Sequence, residues 1–123
     1  MRESPDVVRR MARGYFELTP GEAEERALRA AAGRLTARSR RVVRNHLRRV
    51  CGPCCLRCRL PYSGRWGPRP LTIDHVVPVV LGGSSHTANL QPLCGPCNED
   101  KGATHADYRT PSQVDRLAAL DTA

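Results

Sequence analysis

The sequence predicts a small α+β domain, and three observations carry that expectation. Helical periodicity fills residues 22–50, two short strand-like runs follow at residues 71–73 and 89–93, and C-x-x-C pairs and Gly-Pro turns punctuate the rest. A length of 123 residues suits one domain with appendages.

In chain order, residues 1–18 are mixed and expected to be loosely ordered. Residues 19–50 form a basic helical region. It opens at Thr19-Pro20-Gly21-Glu22, which reads as an N-cap, a first-turn proline and a capping-box glutamate. Ala23, Ala27, Ala30, Ala31 and Leu35 share one side of the helix, and Val42, Val43, Leu47 and Val50 continue near a 3.6-residue period. Gly33 is a possible break, and Gly52-Pro53 should end the helix. Residues 51–70 are rich in Cys, Gly, Pro and Arg and should be irregular. Leu71-Thr72-Ile73 is a short strand delivering Asp74-His75. Val76–Leu81 is apolar and ends in a Gly82-Gly83 turn, and Asn89–Leu93 returns as a strand that Pro92 limits to an edge. Cys94-Gly95-Pro96-Cys97 opens a short helix near Asn98–Lys101, which completes a module over residues 51–105. The tail, residues 106–123, carries a short helix over Pro111–Leu120 capped by Ser112.

Charge is placed unevenly. The formal net charge is +8, and Arg26 to Arg69 holds thirteen arginines without one Asp or Glu. Lys101 is the single lysine. A dense arginine field implies a polyanionic partner, foremost nucleic acid, with Arg38, Arg41, Arg44 and Arg48 on the helix as candidate contacts. Five aromatic side chains are too few to read extended single strands by stacking. They also leave a thin core, which in a module of this size calls for a metal or another staple. No apolar run approaches the roughly 20 residues of a membrane span, and no signal peptide is legible. The expected setting is the cytoplasm, with reduced thiols.

Three C-x-x-C pairs are present: Cys51/Cys54, Cys55/Cys58 and Cys94/Cys97. Two thiolate pairs make a closed tetrahedral zinc site, and Cys94/Cys97 supply one half. Spacing alone leaves the two early pairs open, because Cys54 and Cys55 are adjacent and both pairs cannot easily share one ion. Asp74, His75, Asn89 and Asn98 add a different chemistry. A carboxylate and an amide oxygen suit a hard cation, and a histidine beside them suits proton abstraction near neutral pH. Taken singly, Asp74-His75 is an ordinary strand end, Asn89 a turn residue and Asn98 a helix cap. Their joint occurrence with the cysteine pair points to hydrolysis of a phosphodiester. His46, His86 and His105 gain no such support, and Trp66 reads most simply as a small-core or interface residue.

The run Leu71–Pro78, then Leu81-Gly82-Gly83, Asn89-Leu90 and Leu93-Cys94-x-x-Cys97-Asn98-x-x-Lys101-Gly102 resembles the HNH endonuclease family over roughly residues 47–105. Asn98 in the third signature position resembles the H-N-N variant. The resemblance implies a ββα-metal, treble-clef-like module with zinc knuckles. Family spacing after the helix residue Leu47, with Arg59-Leu60-Pro61 following, favours Cys55, Cys58, Cys94 and Cys97 as the structural zinc ligands. By position, His75 resembles the general base, Asp74 and Asn98 the ligands of a catalytic Mg²⁺ or Mn²⁺, and Asn89 the residue that ties the loop and orients His75. Lys101, about one helical turn beyond Asn98, is expected to face the same phosphate. The implied activity is endonucleolytic cleavage of DNA. Cutting both strands would take a second active site, from a homodimer or a partner protein, or two sequential nicks. The alternative is a zinc-stabilised nucleic-acid-binding module without catalysis.

Overall fold

The computed structural model describes residues 21 and 35–119. Helix α1 spans Ala37–Cys51, and Thr36 is its N-cap. The Thr36 side chain accepts from the Ser39 amide at 3.1 Å while Ser39 Oγ accepts from the Thr36 amide at 2.8 Å, so two otherwise orphaned donors are satisfied. Leu35 and Thr36 are therefore non-helical, so the helical region over residues 22–50 is interrupted just past the possible break at Gly33. The N-terminal expectations, including the Thr19 cap and the break at Gly33, fall outside the described residues. Ser39, Val43, Leu47 and Val50 form the buried stripe of α1. Arg48 and Arg49 occupy its last turn, where cations complement the helix dipole. Gly52, at φ 91°, ends it in a backbone conformation that a side chain would strain.

Strand β1 (Leu71–His75) pairs antiparallel with β2 (Leu90–Cys94), setting Asp74 opposite Gln91 and His75 opposite Leu90. Pro92 sits within β2 opposite Ile73. In a two-stranded sheet each strand keeps a free edge, so a residue without an N–H is tolerated there. Helix α2 (Gly95–Lys101) follows β2 directly, with proline in its first turn. Helix α3 spans Pro111–Ala118. Its cap is Thr110, whose side chain accepts from the Gln113 amide at 3.2 Å, and not Ser112 as expected. The competing signal was Pro111, which is preorganised for the first helical position and so moves the cap one residue earlier.

Among the described residues, two clusters make the core. Val43, Leu47 and Val50 of α1 meet Leu90 and Leu117, and Cys55, Leu56, Leu93, Cys94 and Cys97 form the second cluster. Leu117 is fully buried, worth roughly 1.5–3 kcal/mol, so the C-terminal helix helps close the domain. Polar clasps hold it there: Thr87 Oγ1 donates to Leu117 O at 2.8 Å, and Arg109 donates to Ala88 O at 2.7 Å. Among the described residues no helix is long and apolar enough to cross a membrane. The small α+β class expected from the sequence is the one observed.

Candidate functional site

The turn after α1 and the start of α2 bring four thiols together. Cys55, Cys58, Cys94 and Cys97 present sulfur atoms that all lie within 4.8 Å of one another. Cys58 Sγ and Cys94 Sγ are 3.8 Å apart, and a tetrahedron with metal–sulfur bonds of about 2.3 Å has edges of about 3.8 Å. The set thus fits a tetrahedral zinc, and the choice left open by spacing falls to Cys55/Cys58. The knuckle is closed by Cys55 N–H donating to Leu60 O and Arg59 N–H donating to Cys55 O, each at 2.9 Å, with Arg59 at φ 67°. The Leu60 backbone N–H, and after it the Arg69 guanidinium at 3.0 Å, pull Cys58 down to about 6. Burial and the neighbouring thiols push Cys97 up to about 12. Four packed thiols cannot all ionise without a cation among them, which is the chemistry a dication satisfies.

The sheet and α2 open a separate cleft of about 240 Å³, lined by Asp74, His75, Asn98, Pro78, Val79 and Val80 among others. Asp74 and His75 end β1, and Asn98 reaches them from the first turns of α2. Thr72 settles which end of the Asn98 amide faces outward. Its hydroxyl donates its proton to Leu93 O at 2.7 Å, so toward Asn98 Nδ2, at 2.8 Å, it can only accept. The Asn98 oxygen is left for a cation. His75 is half-buried, and its Nε2 lies 3.0 Å from Ser85 Oγ. Burial lowers the His75 pKa from its ordinary 6.5; Asp74 opposes this, while Arg40 and Lys101 add to it.

The loop joining β1 to β2 is tied by Asn89. Its Oδ1 accepts from Val77 N at 2.9 Å, and its Nδ2 donates to Val77 O at 3.0 Å and to Ser84 O at 2.8 Å. These bonds place Ser85 next in line, and Ser85 touches His75; Asn89 itself has no direct bond to the ring. Gly83 is needed where it stands, since a Cβ would come within 1.7 Å of Val77 O and 2.9 Å of Asn89 Nδ2.

Lys101 departs from expectation. Its side chain is fully buried, and the ammonium lies 3.2 Å from each Asp74 oxygen and 3.1 Å from His75 O. Lys101 is not among the residues lining the cleft. Gln91 Nε2 also donates to Asp74 Oδ2 at 2.9 Å and to Ala106 O at 2.8 Å, while its Oε1 accepts from Tyr108 N at 2.9 Å. A carboxylate offers about four acceptor positions, so these partners leave Asp74 room for a cation. Asp74 and Asn98 therefore fit a hard divalent ion. Sequence reasoning missed Thr72, Ser85 and Gln91. Only the strand register, which sets Gln91 across from Asp74, carried a signal.

On α1, Arg40, Arg44 and Arg48 form one row at four-residue spacing with Arg41 beside it, whereas Arg38 lies on the opposite flank with Arg49. Burial, then repulsion from Arg65, Arg40 and Arg41, lowers the Arg44 pKa, which marks a concentrated positive field. Arg40 links that field to His75.

Residues 55–104 match the family model described as HNH endonuclease. No curated protein and no solved structure matches the chain. The matched stretch contains the whole cysteine cluster, both strands and α2. Residues 55–104 thus belong to the HNH endonuclease family, which implies a nuclease acting on nucleic acid.

Proposed function

We propose that this chain is a metal-dependent endonuclease that hydrolyses DNA phosphodiesters, with His75 as general base and a zinc ion pinning Cys55, Cys58, Cys94 and Cys97. The observation that carries the reading is the single cleft lined by Asp74, His75 and Asn98 within the HNH domain. Asp74 and Asn98 would hold a Mg²⁺ or Mn²⁺ ion, which would neutralise charge on the phosphate and on the leaving oxygen. His75 takes the proton of the attacking water. His75 Nε2 and Ser85 Oγ are 3.0 Å apart; in the tautomer whose Nε2–H donates to that hydroxyl, Nδ1 would keep the lone pair that accepts the proton. Asn89 fixes the loop that carries Ser85 and so orients the ring indirectly. Arg41, Arg44 and Arg48, joined by Arg40, draw the backbone toward the cleft, and Arg38 serves the other flank. Cleavage of both strands calls for two copies, a partner, or two sequential nicks.

Plasmid cleavage with added Mg²⁺ or Mn²⁺ tests this. His75→Ala should slow cleavage by about 10²- to 10⁴-fold while leaving DNA binding intact. Burial lowers the His75 pKa from its ordinary value, so the acid limb of the native pH–rate profile should lie below that of an unperturbed imidazole. Equal cleavage by native and variant would remove His75 from the role. Binding without cleavage by the native chain would leave a zinc-stabilised binding module.

A further inference from the structure

We propose that Arg65 and Trp66 form a one-base stacking platform, which receives an unpaired base of the nucleic acid bound along the arginine row of α1. The proposal rests on the nucleic-acid reading of the domain and adds the feature of the substrate that the chain prefers.

Trp66 is 90% exposed, so neither a core nor an interface within the domain holds it. A single exposed aromatic needs no explanation by itself; the way this one is mounted does. Gly67 N–H donates to Gly64 O at 2.9 Å, which puts Arg65 and Trp66 at the two central positions of a tight turn. The base of the turn is closed twice, by Ser63 N–H donating to Arg69 O at 2.9 Å and by Arg69 N–H donating to Ser63 Oγ at 3.0 Å. Arg69 then reaches Cys58 at 3.0 Å, so the tip is anchored to the cysteine cluster. A rigid mount lowers the ordering cost of using the ring as a contact.

Arg65 lies over the Trp66 ring, its guanidinium carbon 5.0 Å from the centroid. One face of the indole is thereby capped by a cation, and the other is open to solvent. A base offers its own face to such a ring only where it is not already stacked between neighbours, at a gap, a nick or a frayed end. Charge continuity says which macromolecule arrives. Arg65 joins Arg40, Arg41 and Arg44 in one positive field, and Arg40 extends that field to His75. A phosphate backbone lying on that row would bring a base within reach of Trp66.

Trp66 is the only tryptophan in the chain, so its emission reports on the platform without any label. Native protein, with no divalent cation added, is titrated with two DNAs of one sequence: a dumbbell duplex closed at both ends by base-free linkers, and the same closed duplex carrying a short single-stranded gap. The gapped DNA should quench Trp66 emission and shield it from iodide, and the dumbbell should do neither. Trp66→Ala should bind gapped DNA about tenfold more weakly, with dumbbell affinity unchanged and Trp66→Phe in between. Unchanged emission at saturation, or equal losses on both DNAs, would overturn the platform while leaving the nuclease reading standing. Failure of the native chain to bind either DNA would overturn both. Selective quenching by a protein that never cleaves would uphold the platform and sink the nuclease reading.

Discussion

Cys94→Ala should leave a protein that is unfolded at room temperature and carries no zinc, whereas native protein should carry close to one zinc per chain. The size of the effect follows from comparing two energies. A structural zinc site contributes about 10–16 kcal/mol at neutral pH, and a whole domain is stable by only about 5–15 kcal/mol. Here the ion would sit inside the second core cluster, among Cys55, Leu56, Leu93, Cys94 and Cys97. Removing it leaves buried thiols without the charge that justified packing them together. Arg69 donating to Cys58, and Arg57 donating to Cys97 and pairing with Asp100, spread the surplus negative charge of four thiolates. Cys51→Ala and Cys54→Ala should keep the zinc, because neither sulfur belongs to the four-thiol set. Metal analysis and circular dichroism on the same preparations decide the matter. A metal-stripped native chain that still melts cooperatively at native temperature would show that the zinc is not structural.

Much of this site was legible because its chemistry is local in sequence. Cys94 and Cys97 declare a knuckle by their spacing, and Asp74 and His75 are adjacent at the end of one short strand. The assignment of Cys55/Cys58 over Cys51/Cys54 was not fixed by spacing, since both pairs are C-x-x-C. It is settled by where the helix stops: Cys51 is the last residue of α1, and the turn that closes on Leu60 presents the next pair instead. Ser85, Gln91 and Thr72 were invisible because each acts across a long separation, through loop closure or strand register. Of the two readings of Trp66, the small-core one fails because the ring is 90% exposed, although large aromatics are normally buried. Lys101 shows a subtler limit. Helical spacing correctly set it on the same side of α2 as Asn98. Which atoms a four-carbon side chain meets there depends on how closely α2 packs on β1, and that distance is not written in any periodicity.

Lys101→Met should cost about 3–5 kcal/mol of stability, the usual penalty for stripping one partner from a buried ion pair. Asp74 is itself buried, and Lys101 supplies the only full positive charge in direct contact with its carboxylate among the described residues. The same ammonium holds His75 O, so one side chain fixes both ends of the Asp74-His75 dipeptide. Two consequences separate its structural role from a catalytic one. A double variant, Lys101→Met with Asp74→Leu, removes both charges and should recover most of the lost stability without recovering cleavage, because the ligand carboxylate is gone. In Lys101→Met alone, Mn²⁺ should raise the melting temperature more than it does in native protein, since the uncompensated carboxylate then has the ion as its main counter-charge. Thermal melts with and without Mn²⁺ on the four proteins of this cycle measure both effects. A Lys101→Met chain as stable as native would show that the pair does not carry the weight its burial implies. A metal response no larger than native would mean that Asp74 does not face the ion.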